Sequence, residues 1–314
     1  VVMDVILDVD PGVDDAMAIL LALASDEINI LALTVVSGNV PLRSGVDNAL
    51  KVLAFSGRSE IPVYAGADAP LVRAPVHAKQ VHGETGLGNA ELAPSEREAR
   101  PGASEFIQKT LTTHPGKVTV LAVGPLTNLA LAERIEAGTL ARAKQVVVMG
   151  GAANEPGNSS PTAEFNFVGD PHAAREVIQS RAAVTLIPLD VTHQVGIPAE
   201  EIDRKIRPMG SGVARFFCEM TDIVVGLGRE AGGYVGVYLH DPAAVVYALR
   251  PELFDVVEYW CDIETEGELT LGQLVVDQRE GLPESRRRGV LTRIAVGVSS
   301  EEVLGLFRQR VLKG

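Results

Sequence analysis

The sequence has few cysteines and no apolar run long enough to form a membrane-spanning helix. Cys218 and Cys261 are the only cysteines among 314 residues, and neither has a second Cys or His at the spacing of metal ligands. We therefore expect two buried free thiols rather than a disulfide framework. The apolar runs fall short of the roughly 20 residues that span a bilayer, and Asp4 stands where a secretory signal would carry a cation. These absences predict a cytoplasmic protein with no membrane partner.

Positive charge is also scarce. The chain has 28 Lys and Arg against 41 Asp and Glu, a net charge of -13. Such a surface repels polyanions, so we expect no nucleic-acid partner. With 46% hydrophobic and 22% charged residues, the composition is that of an ordinary globular protein. No repeat, low-complexity tract or clean linker divides the sequence, which predicts a single domain over residues 1–314.

Strand-like and helix-like segments alternate through the first two-thirds of the chain. The expected strands are 5–9, 28–36, 118–123, 145–149 and 184–189, and the expected helices are 13–24, 42–55, 104–113, 126–135 and 173–179. This alternation implies βαβ units, and hence an α/β fold whose mostly parallel central sheet is flanked by helices.

The rest of the chain departs from this alternation. Residues 198–233 are expected to form a mainly helical insertion, followed by C-terminal strands at 256–261, 269–276 and 293–298 and a helix at 300–311. The Gly- and Pro-rich segment 65–100 is longer than a passive connection and suggests a functional loop. Asp170 and Asp241 each precede a proline, the pattern of an N-cap followed by Pro at the first helical position. We adopt this N-cap interpretation for Asp170.

Four carboxylates lie close together near the start of the chain. Asp8, Asp10, Asp14 and Asp15 stand between two apolar runs. Carboxylates packed this densely raise one another's pKa unless a cation lies among them. A hard divalent ion such as Ca²⁺ or Mg²⁺ prefers oxygen ligands of this kind. The segment therefore predicts half of a metal site.

Small or polar residues follow five of the predicted strands. In an open parallel sheet, ligands bind beyond the carboxyl ends of the strands. The segments concerned are 8–15, 37–39, 124–128, 149–151 and 190–193. Together they predict a polar pocket at one edge of the sheet. The glycines lack the spacing of a dinucleotide-binding loop, so no nicotinamide cofactor is expected.

The segment 8–16, Asp-Val-Asp-Pro-Gly-Val-Asp-Asp-Ala, resembles the signature of the nucleoside hydrolases of the inosine–uridine-preferring type. Six further fragments stand in that family's order: Ser37-Gly38-Asn39, His82-Gly83-Glu84-Thr85-Gly86, Gly124-Pro125-Leu126-Thr127-Asn128, Met149-Gly150-Gly151, Ala163-Glu164-Phe165-Asn166 and His240-Asp241-Pro242. The resemblance implies a Rossmann-like α/β fold, a tightly bound Ca²⁺, and hydrolysis of the N-glycosidic bond of ribonucleosides to ribose and free base. It also implies a homo-oligomer, either a tetramer or a dimer, and a place in nucleoside salvage.

The resemblance assigns roles to particular residues. The expected Ca²⁺ ligands are the carboxylates of Asp10, Asp15 and Asp241 and the backbone carbonyl of Val123. Asp10 is expected to act as general base towards a water bound to the ion, and His240 to assist the leaving base. Cleavage builds positive charge on the sugar in an oxocarbenium-like transition state, which carboxylates stabilise. The expected substrate contacts are Asp14, Asn39, His82, Met149, Asn158, Glu164, Asn166 and Tyr234.

Two other functions remain open. Asp8 and Asp10 have the spacing of the Asp-x-Asp pair of haloacid dehalogenase-type phosphatases, in which the first Asp is the nucleophile. Gly12 stands where that motif has Thr, so the match is partial. The second alternative is a non-catalytic nucleoside- or ribose-binding protein, which needs the sugar contacts but not His240.

Substrate preference is narrowed by a missing residue type. Members with strict purine preference resemble a subgroup that sandwiches the base between tryptophans, whereas the only tryptophan here, Trp260, lies far from the motifs. Inosine, uridine or cytidine are therefore expected rather than purines alone. His172 and His193 are expected to be structural.

Overall fold

The apolar runs of the sequence form one large sheet in the computed structural model, which describes residues 2–313. Ten strands belong to this sheet and two more pair separately. The strands are β1 (Met3–Val9), β2 (Ile28–Val35), β3 (Val63–Ala65), β4 (Arg100–Pro101), β5 (Val118–Ala122), β6 (Gln145–Met149), β7 (Val184–Ile187), β8 (Gly196–Pro198), β9 (Gly236–Tyr238), β10 (Phe254–Ile263), β11 (Leu274–Asp277) and β12 (Val290–Val298).

Helices connect most of the strands. They are α1 (Val13–Leu23), α2 (Leu42–Phe55), α3 (Lys79–His82), α4 (Ala103–Thr113), α5 (Thr127–Ile135), α6 (Phe165–Gly169), α7 (Pro171–Gln179), α8 (Leu189–Thr192), α9 (Ala199–Glu201), α10 (Gly212–Ala231), α11 (His240–Leu249) and α12 (Ser300–Phe307). Within residues 2–313, none of these helices is both long and apolar enough to cross a membrane.

The order of the strands locates the crevice where ligands bind. The sheet runs β11-β10-β12-β7-β6-β5-β1-β2-β3-β4. Neighbouring strands from β12 to β4 are parallel, and β10 is antiparallel to both of its neighbours. The chain proceeds from β1 to β2 on one side and later returns to β5 on the other. A switch of this kind opens a crevice at the carboxyl ends of the strands, directly at the four-carboxylate segment.

The sheet is covered by helices on both faces. Val5, Leu7 and Val9 of β1 pack into one apolar cluster with residues of α1, α2, α10, α11 and α12. Ile6 points the other way, into a second cluster with residues of α4, α5 and α7. Side chains alternate along a strand, so a continuous apolar run places hydrophobic groups on both faces, as is typical of buried parallel strands. The predicted α/β fold is confirmed.

Most predicted elements are confirmed, although several boundaries differ by two residues or more, and two of these differences have a clear physical reason. The strand predicted at 269–276 begins only at Leu274, because residues 268–272 form a turn in which Gly272 has φ +78. The strand predicted at 184–189 ends at Ile187, since Pro188 has no N–H to donate and α8 begins at Leu189. The mainly helical insertion at 198–233 is confirmed. Both cysteines are buried and free.

Candidate active site

A cavity of about 500 Å³ lies at the carboxyl ends of the central strands. Its wall combines the loops after β1, β2, β5 and β6 with the segment 65–100, the insertion and the start of α11. The residues on this wall include Val13, Asp14, Asn39, His77, His82, Val123, Met149, Asn158, Glu164, Asn166, His193, Tyr238, His240 and Asp241.

The turn between β1 and α1 is tied together by Asp15. Its Oδ1 accepts a hydrogen bond from the backbone N of Asp10 and its Oδ2 accepts one from the backbone N of Gly12, both at 2.9 Å. A Cβ at Gly12 would lie 2.6 Å from Nδ1 of His82 and 2.7 Å from Nδ2 of Asn39. Only glycine permits this close approach. The turn thus fixes the carboxylates and leaves room for two polar side chains.

The Asp10 side chain is fully buried, and only one of its two carboxylate oxygens has a hydrogen-bond partner within residues 2–313. Its Oδ2 accepts a hydrogen bond of 2.7 Å from the backbone N of Asn39, while its Oδ1 has no partner within residues 2–313. Gly38 and Gly124, which follow β2 and β5, let the backbone close on this carboxylate; a Cβ there would lie 2.0 and 2.6 Å from its oxygens. Burial, and then the charge of Asp15, raise the pKa of Asp10 well above its usual value.

Three carboxylates meet at the wall of the cavity. Asp14, Asp15 and Asp241 each offer an oxygen, and these oxygens lie within 4.8 Å of one another. Oδ1 of Asp14 is buried without a hydrogen-bond partner among residues 2–313. Burial raises the pKa of Asp14 and of Asp15 to about 6, and the charge of Asp14 adds to the effect at Asp15. A cation among these groups would remove the repulsion that raises their pKa values.

Asp241 does not cap a helix, although its sequence context allows it. The helix α11 begins at His240 with Leu239 as the N-cap residue, so Asp241 lies in the first turn. Burial, followed by the charge of Asp14, raises its pKa well above the usual value. The N-cap interpretation is confirmed for Asp170, whose carboxylate accepts a 3.0 Å hydrogen bond from the backbone N of Ala173.

Glu164 and Asn166 form a second polar group on the cavity wall. Oε1 of Glu164 accepts from the backbone N of Asn166 at 2.8 Å, and its Oε2 accepts from the backbone N of Gly151 at 3.0 Å. Burial raises the pKa of Glu164 to about 7 despite these bonds. Nδ2 of Asn166 donates to the backbone O of Val123 at 2.8 Å and to that of Met149 at 3.2 Å. The carbonyl oxygens of Val123, just after β5, and of Met149, at the end of β6, are therefore held in place by one amide.

His82 enters the site from the segment 65–100. Its Nδ1 accepts a hydrogen bond of 3.1 Å from the backbone N of Val13 and lies 3.9 Å from Oδ1 of Asp14. Because a backbone N–H can only donate, Nδ1 carries no proton and the neutral ring keeps its proton on Nε2. Burial lowers the pKa of His82 to about 4.

His240 lies in an aromatic part of the wall. Its ring centroid is 5.6 Å from that of His193 and 5.6 Å from that of Tyr238. Its Nδ1 is 2.7 Å from Oγ1 of Thr192. Burial, and then electrostatic interaction with the imidazoles of His193 and His82, lower the pKa of His240 to about 3. The ring is therefore neutral at neutral pH.

Most of the site residues predicted from the sequence come together around this cavity. Those on its wall are Asp14, Asn39, His82, Val123, Met149, Asn158, Glu164, Asn166, His240 and Asp241. Asp10 and Asp15 are fully buried beside them. Tyr234 is not on the wall of the cavity. Its ring stacks, with a centroid distance of 4.4 Å, on the ring of Tyr238, and Tyr238 does line the cavity.

The structure adds residues that the sequence reasoning did not assign to the site. His193 and Tyr238 line the cavity, although His193 is expected from sequence to be structural. His77 also lines it and binds the backbone O of Gly38 through Nδ1 at 2.8 Å. Tyr238 ends β9 only two residues before His240, and this closeness in sequence is the signal that could have placed it on the same wall. The prediction that segment 65–100 is functional is supported, because it supplies part of the wall.

Asp8 is less accessible than a nucleophile would need to be. Its Oδ1 accepts hydrogen bonds from Oγ1 of Thr34 at 2.5 Å and Nδ2 of Asn128 at 2.9 Å. The side chain is fully buried and does not line the cavity. Burial raises its pKa to about 7. This placement disfavours the phosphatase alternative.

The acidic groups fit a hard divalent cation. Three carboxylate oxygens lie within 4.8 Å of one another, and Asp10 and Asp14 each have a buried oxygen without a partner in residues 2–313. Cations of this kind take carboxylate and carbonyl oxygens as ligands. The chemistry of the donors, rather than any single distance, makes this cluster a candidate metal-binding centre.

Comparisons with known proteins agree with this geometry. Residues 5–304 match the family model described as inosine-uridine preferring nucleoside hydrolase. The chain is 44% identical over 276 residues to a pyrimidine-specific ribonucleoside hydrolase of Shewanella sp. strain ANA-3, covering 87% of this chain and 86% of that protein. It is 43% identical over 277 residues to an uncharacterized protein of Schizosaccharomyces pombe, covering 88% and 89%.

Solved structures show the same relationship. A plant nucleoside hydrolase superposes with a TM-score of 0.92 at 31% identity, covering 99% of both chains. A purine-preferring ribonucleoside hydrolase from Gardnerella vaginalis superposes with a TM-score of 0.90 at 31% identity, covering 99% of this chain and 98% of that one. With its carboxylate centre at the switch point of the sheet, the chain therefore belongs to the inosine–uridine preferring nucleoside hydrolase family and is an enzyme, a ribonucleoside hydrolase.

Proposed function

We propose that the protein is a Ca²⁺-dependent hydrolase that cleaves the N-glycosidic bond of ribonucleosides to give ribose and free base. The observation that carries the proposal is the meeting of Asp14, Asp15 and Asp241 within 4.8 Å at the wall of the cavity, beside His240. Residues far apart in the sequence supply these groups. A binding protein would not need so many unsatisfied carboxylates, because each raises the cost of burying the others.

Asp10, Asp15 and Asp241 would hold the ion, with the backbone carbonyl of Val123 as a further ligand. The unpartnered Oδ1 of Asp10 supports this assignment, and carboxylates with a backbone carbonyl are ligands typical of Ca²⁺. When bound, the ion supplies a Lewis acid that orients hydroxyl groups and makes water more acidic. Asp14 lies in the same cluster and adds negative charge next to the sugar.

The ribose would be held by Asp14, Asn39, Asn158, Glu164 and Asn166, with Met149 nearby. Oδ1 of Asp14 is free to accept a hydrogen bond from a sugar hydroxyl. Glu164 is aligned by backbone N–H groups of α6. Breaking the glycosidic bond builds positive charge on the sugar, and fixed carboxylates stabilise that charge more in the transition state than in the neutral substrate.

Asp10 would act as the general base. Asn39 occupies its Oδ2, which leaves Oδ1 to accept a proton from the attacking water. His240 would assist the leaving base through Nε2, since Thr192 occupies its Nδ1. His82 presents Nε2–H to the same cavity and would contact the base.

The expected substrates are inosine, uridine and cytidine. Trp260 lies in β10, away from the residues that line the cavity, where His82, His193, Tyr238 and His240 form the wall instead. These side chains offer hydrogen bonds rather than a pair of large stacking faces. The 44% identity to a relative named as pyrimidine-specific gives added weight to uridine and cytidine. Tyr234 would contribute from behind Tyr238.

A single assay tests the proposal against its rivals. The protein is incubated with uridine, inosine and a phosphomonoester, each in Ca²⁺ and in excess chelator, and free base and phosphate are measured. We expect free base from the nucleosides only with Ca²⁺. Phosphate release would instead support an Asp8-dependent phosphohydrolase, and uridine binding without turnover would support a non-catalytic binding protein.

We further propose that the protein acts in the cytoplasm as a homo-oligomer, either a tetramer or a dimer. Val275 and Leu291 support association, because they lie in β11 and β12, the strands on either side of β10 near one end of the sheet, with 48% and 51% of their surface exposed. Exposed apolar groups on such an edge favour contact with another subunit. Light scattering coupled to size-exclusion chromatography measures the mass directly, and a monomer at micromolar concentration would exclude the assembly.

A further inference from the structure

Thr192 contacts the ring of His240 from a different part of the chain. It is the last residue of α8, which follows β7, and its side chain is fully buried. Its Oγ1 lies 2.7 Å from Nδ1 of His240, 48 residues further along the chain. Within residues 2–313 this is the one hydrogen bond that the hydroxyl makes.

Counting hydrogen-bond donors gives the direction of this bond. A neutral imidazole has one N–H, and a threonine hydroxyl has one O–H. If Nδ1–H donated to Oγ1, the buried O–H of Thr192 would have no acceptor. If Oγ1–H donates to Nδ1, only spare lone pairs on oxygen stay unused. Because a buried donor without a partner costs more than an unused lone pair, Thr192 is the donor.

His82 shows the same arrangement with an unambiguous donor. Its Nδ1 accepts from the backbone N of Val13, so its proton must lie on Nε2. Both histidines line the cavity, and both have Nδ1 occupied by a donor from another element. The difference is that a backbone amide does this for His82, whereas a side chain that can be replaced does it for His240.

We propose that Thr192 is a positioning residue for the departure of the base: its hydroxyl donates to Nδ1 of His240 and so directs the ring's Nε2–H into the cavity. This inference depends on the proposed role of His240. When the glycosidic bond breaks, its electron pair stays with the base, and Nε2–H hydrogen-bonds to the negative charge that develops there. The hydroxyl of the attacking water joins the sugar carbon, its proton passes to Asp10, and the base gains a proton from solvent.

The role of Thr192 predicts an effect limited to demanding leaving groups. Thr192→Val keeps the shape of the side chain without its hydroxyl, and Thr192→Ser keeps the hydroxyl. In Ca²⁺ buffer we expect Thr192→Val to lower kcat on uridine about tenfold, the scale of one hydrogen bond, with KM little changed. Its rate on p-nitrophenyl riboside should be unchanged, because that leaving group is stable as an anion. Thr192→Ser should retain the wild-type rate on uridine.

A matched control comes from Thr119, a fully buried threonine in β5 whose Oγ1 has no partner in residues 2–313. Thr119→Val should leave both rates as in wild type. Thermal unfolding of each variant reports whether the fold is retained. Equal losses of rate on both substrates in Thr192→Val would show a merely structural role and overturn the inference.

The protonation of the ring is measured independently by NMR. In Ca²⁺-loaded protein with ¹⁵N-labelled histidine, we expect the His240 signal of the Nε2–H tautomer in wild type and a mixture with the Nδ1–H tautomer in Thr192→Val. A wild-type ring in the Nδ1–H tautomer would refute the proposal. His240→Ala distinguishes a failure of the proposed role of His240 from a failure of the proposed role of Thr192. An unchanged kcat on uridine would remove His240 from the mechanism, whereas a loss there without any effect of Thr192→Val would remove only Thr192.

Discussion

Two Asp-Pro pairs in this chain look alike in sequence and differ in what the structure does with them. Asp170 is completely buried, and its carboxylate accepts hydrogen bonds from the backbone N of Ala173, the backbone N of Leu71 and Oγ1 of Thr127. Asp241 is almost as buried, at 2% exposure. The groups that act on it are other carboxylates, and their charges add to burial in raising its pKa.

Asp170 is therefore a carboxylate that stabilises the fold, whereas Asp241 is a buried carboxylate whose charge is not balanced by hydrogen-bond donors in the described part of the chain. A buried charge is tolerated where donors satisfy it, as at Asp170. Where no donors satisfy the carboxylate, the rest of the fold must offset the cost of burying it. Such costly buried groups are typical of functional sites. Asp10 and Asp14 resemble Asp241 rather than Asp170, since each has a buried oxygen without a hydrogen-bond partner among residues 2–313.

The largest effect should come from the unsatisfied carboxylates. Asp10→Asn removes both a ligand charge and the proposed general base, and we expect kcat on uridine to fall by about 10³-fold. Asp241→Asn should likewise remove turnover and weaken Ca²⁺ binding. Free-base release and calorimetric titration of Ca²⁺ measure the two losses. Asp170→Asn is the control. The molecules of this variant that fold should keep both the wild-type turnover and the wild-type binding of Ca²⁺.

The second effect concerns stability, for which Asp170 should matter and Asp241 should not. Asp170→Ala removes an N-cap and two further hydrogen bonds, one buried and one partly buried, so the free energy of unfolding should fall by about 3 kcal/mol. Asp241→Ala in metal-free protein should not destabilise, because it removes repulsion from Asp14 and Asp15. Urea unfolding in chelator measures both. Similar losses in the two variants would contradict the comparison.

A smaller effect is expected at the residue before Asp241. His240→Ala should slow cleavage of uridine about 10–100-fold through loss of the hydrogen bond to the leaving base. The slowing should be least for nucleosides whose base leaves easily. Steady-state rates on a series of nucleosides measure this, and unchanged rates across the series would argue against the role of His240.

The smallest effect is a dependence on pH. The folded pKa values of Asp14 and Asp15 are raised to about 6, above their usual 3.8. Their contribution to stability in metal-free protein is therefore fully present below about pH 4 and is lost as pH rises through about 6. Ca²⁺ binds the deprotonated groups, so its stabilising effect should grow over the same range. Tm with Ca²⁺ minus Tm with chelator should rise with pH; a constant difference would exclude these groups as neighbours of the ion.

The local sequence predicts the sheet well because each central strand is a short apolar run. The strand at Gln145–Met149 and the helix at Leu42–Phe55 match their predictions to the residue. The short strands β3, β4, β8 and β9 were not predicted, because two or three residues carry no periodicity. The turn at 268–272 was also not predicted, because its apolar residues have the pattern of a strand although the backbone reverses at Gly272.

The site is less predictable from local pattern than the fold. Nothing in the sequence around Asp170 and Asp241 distinguishes a helix cap from a site carboxylate; the family resemblance did so, and the structure then brought Asp241 beside Asp14. The contact of Thr192 with His240 joins residues 48 apart, and such contacts follow from tertiary packing. Tyr238 rather than Tyr234 reaches the cavity wall because of the pairing of β8 with β9.

The most direct test of the account is to add Ca²⁺ stepwise to fully chelated protein and follow uracil released from uridine. If Asp10, Asp15 and Asp241 hold one catalytic ion, activity should rise from near zero and reach its plateau at one Ca²⁺ per chain. Full activity in protein that elemental analysis shows to be free of metal would contradict the account.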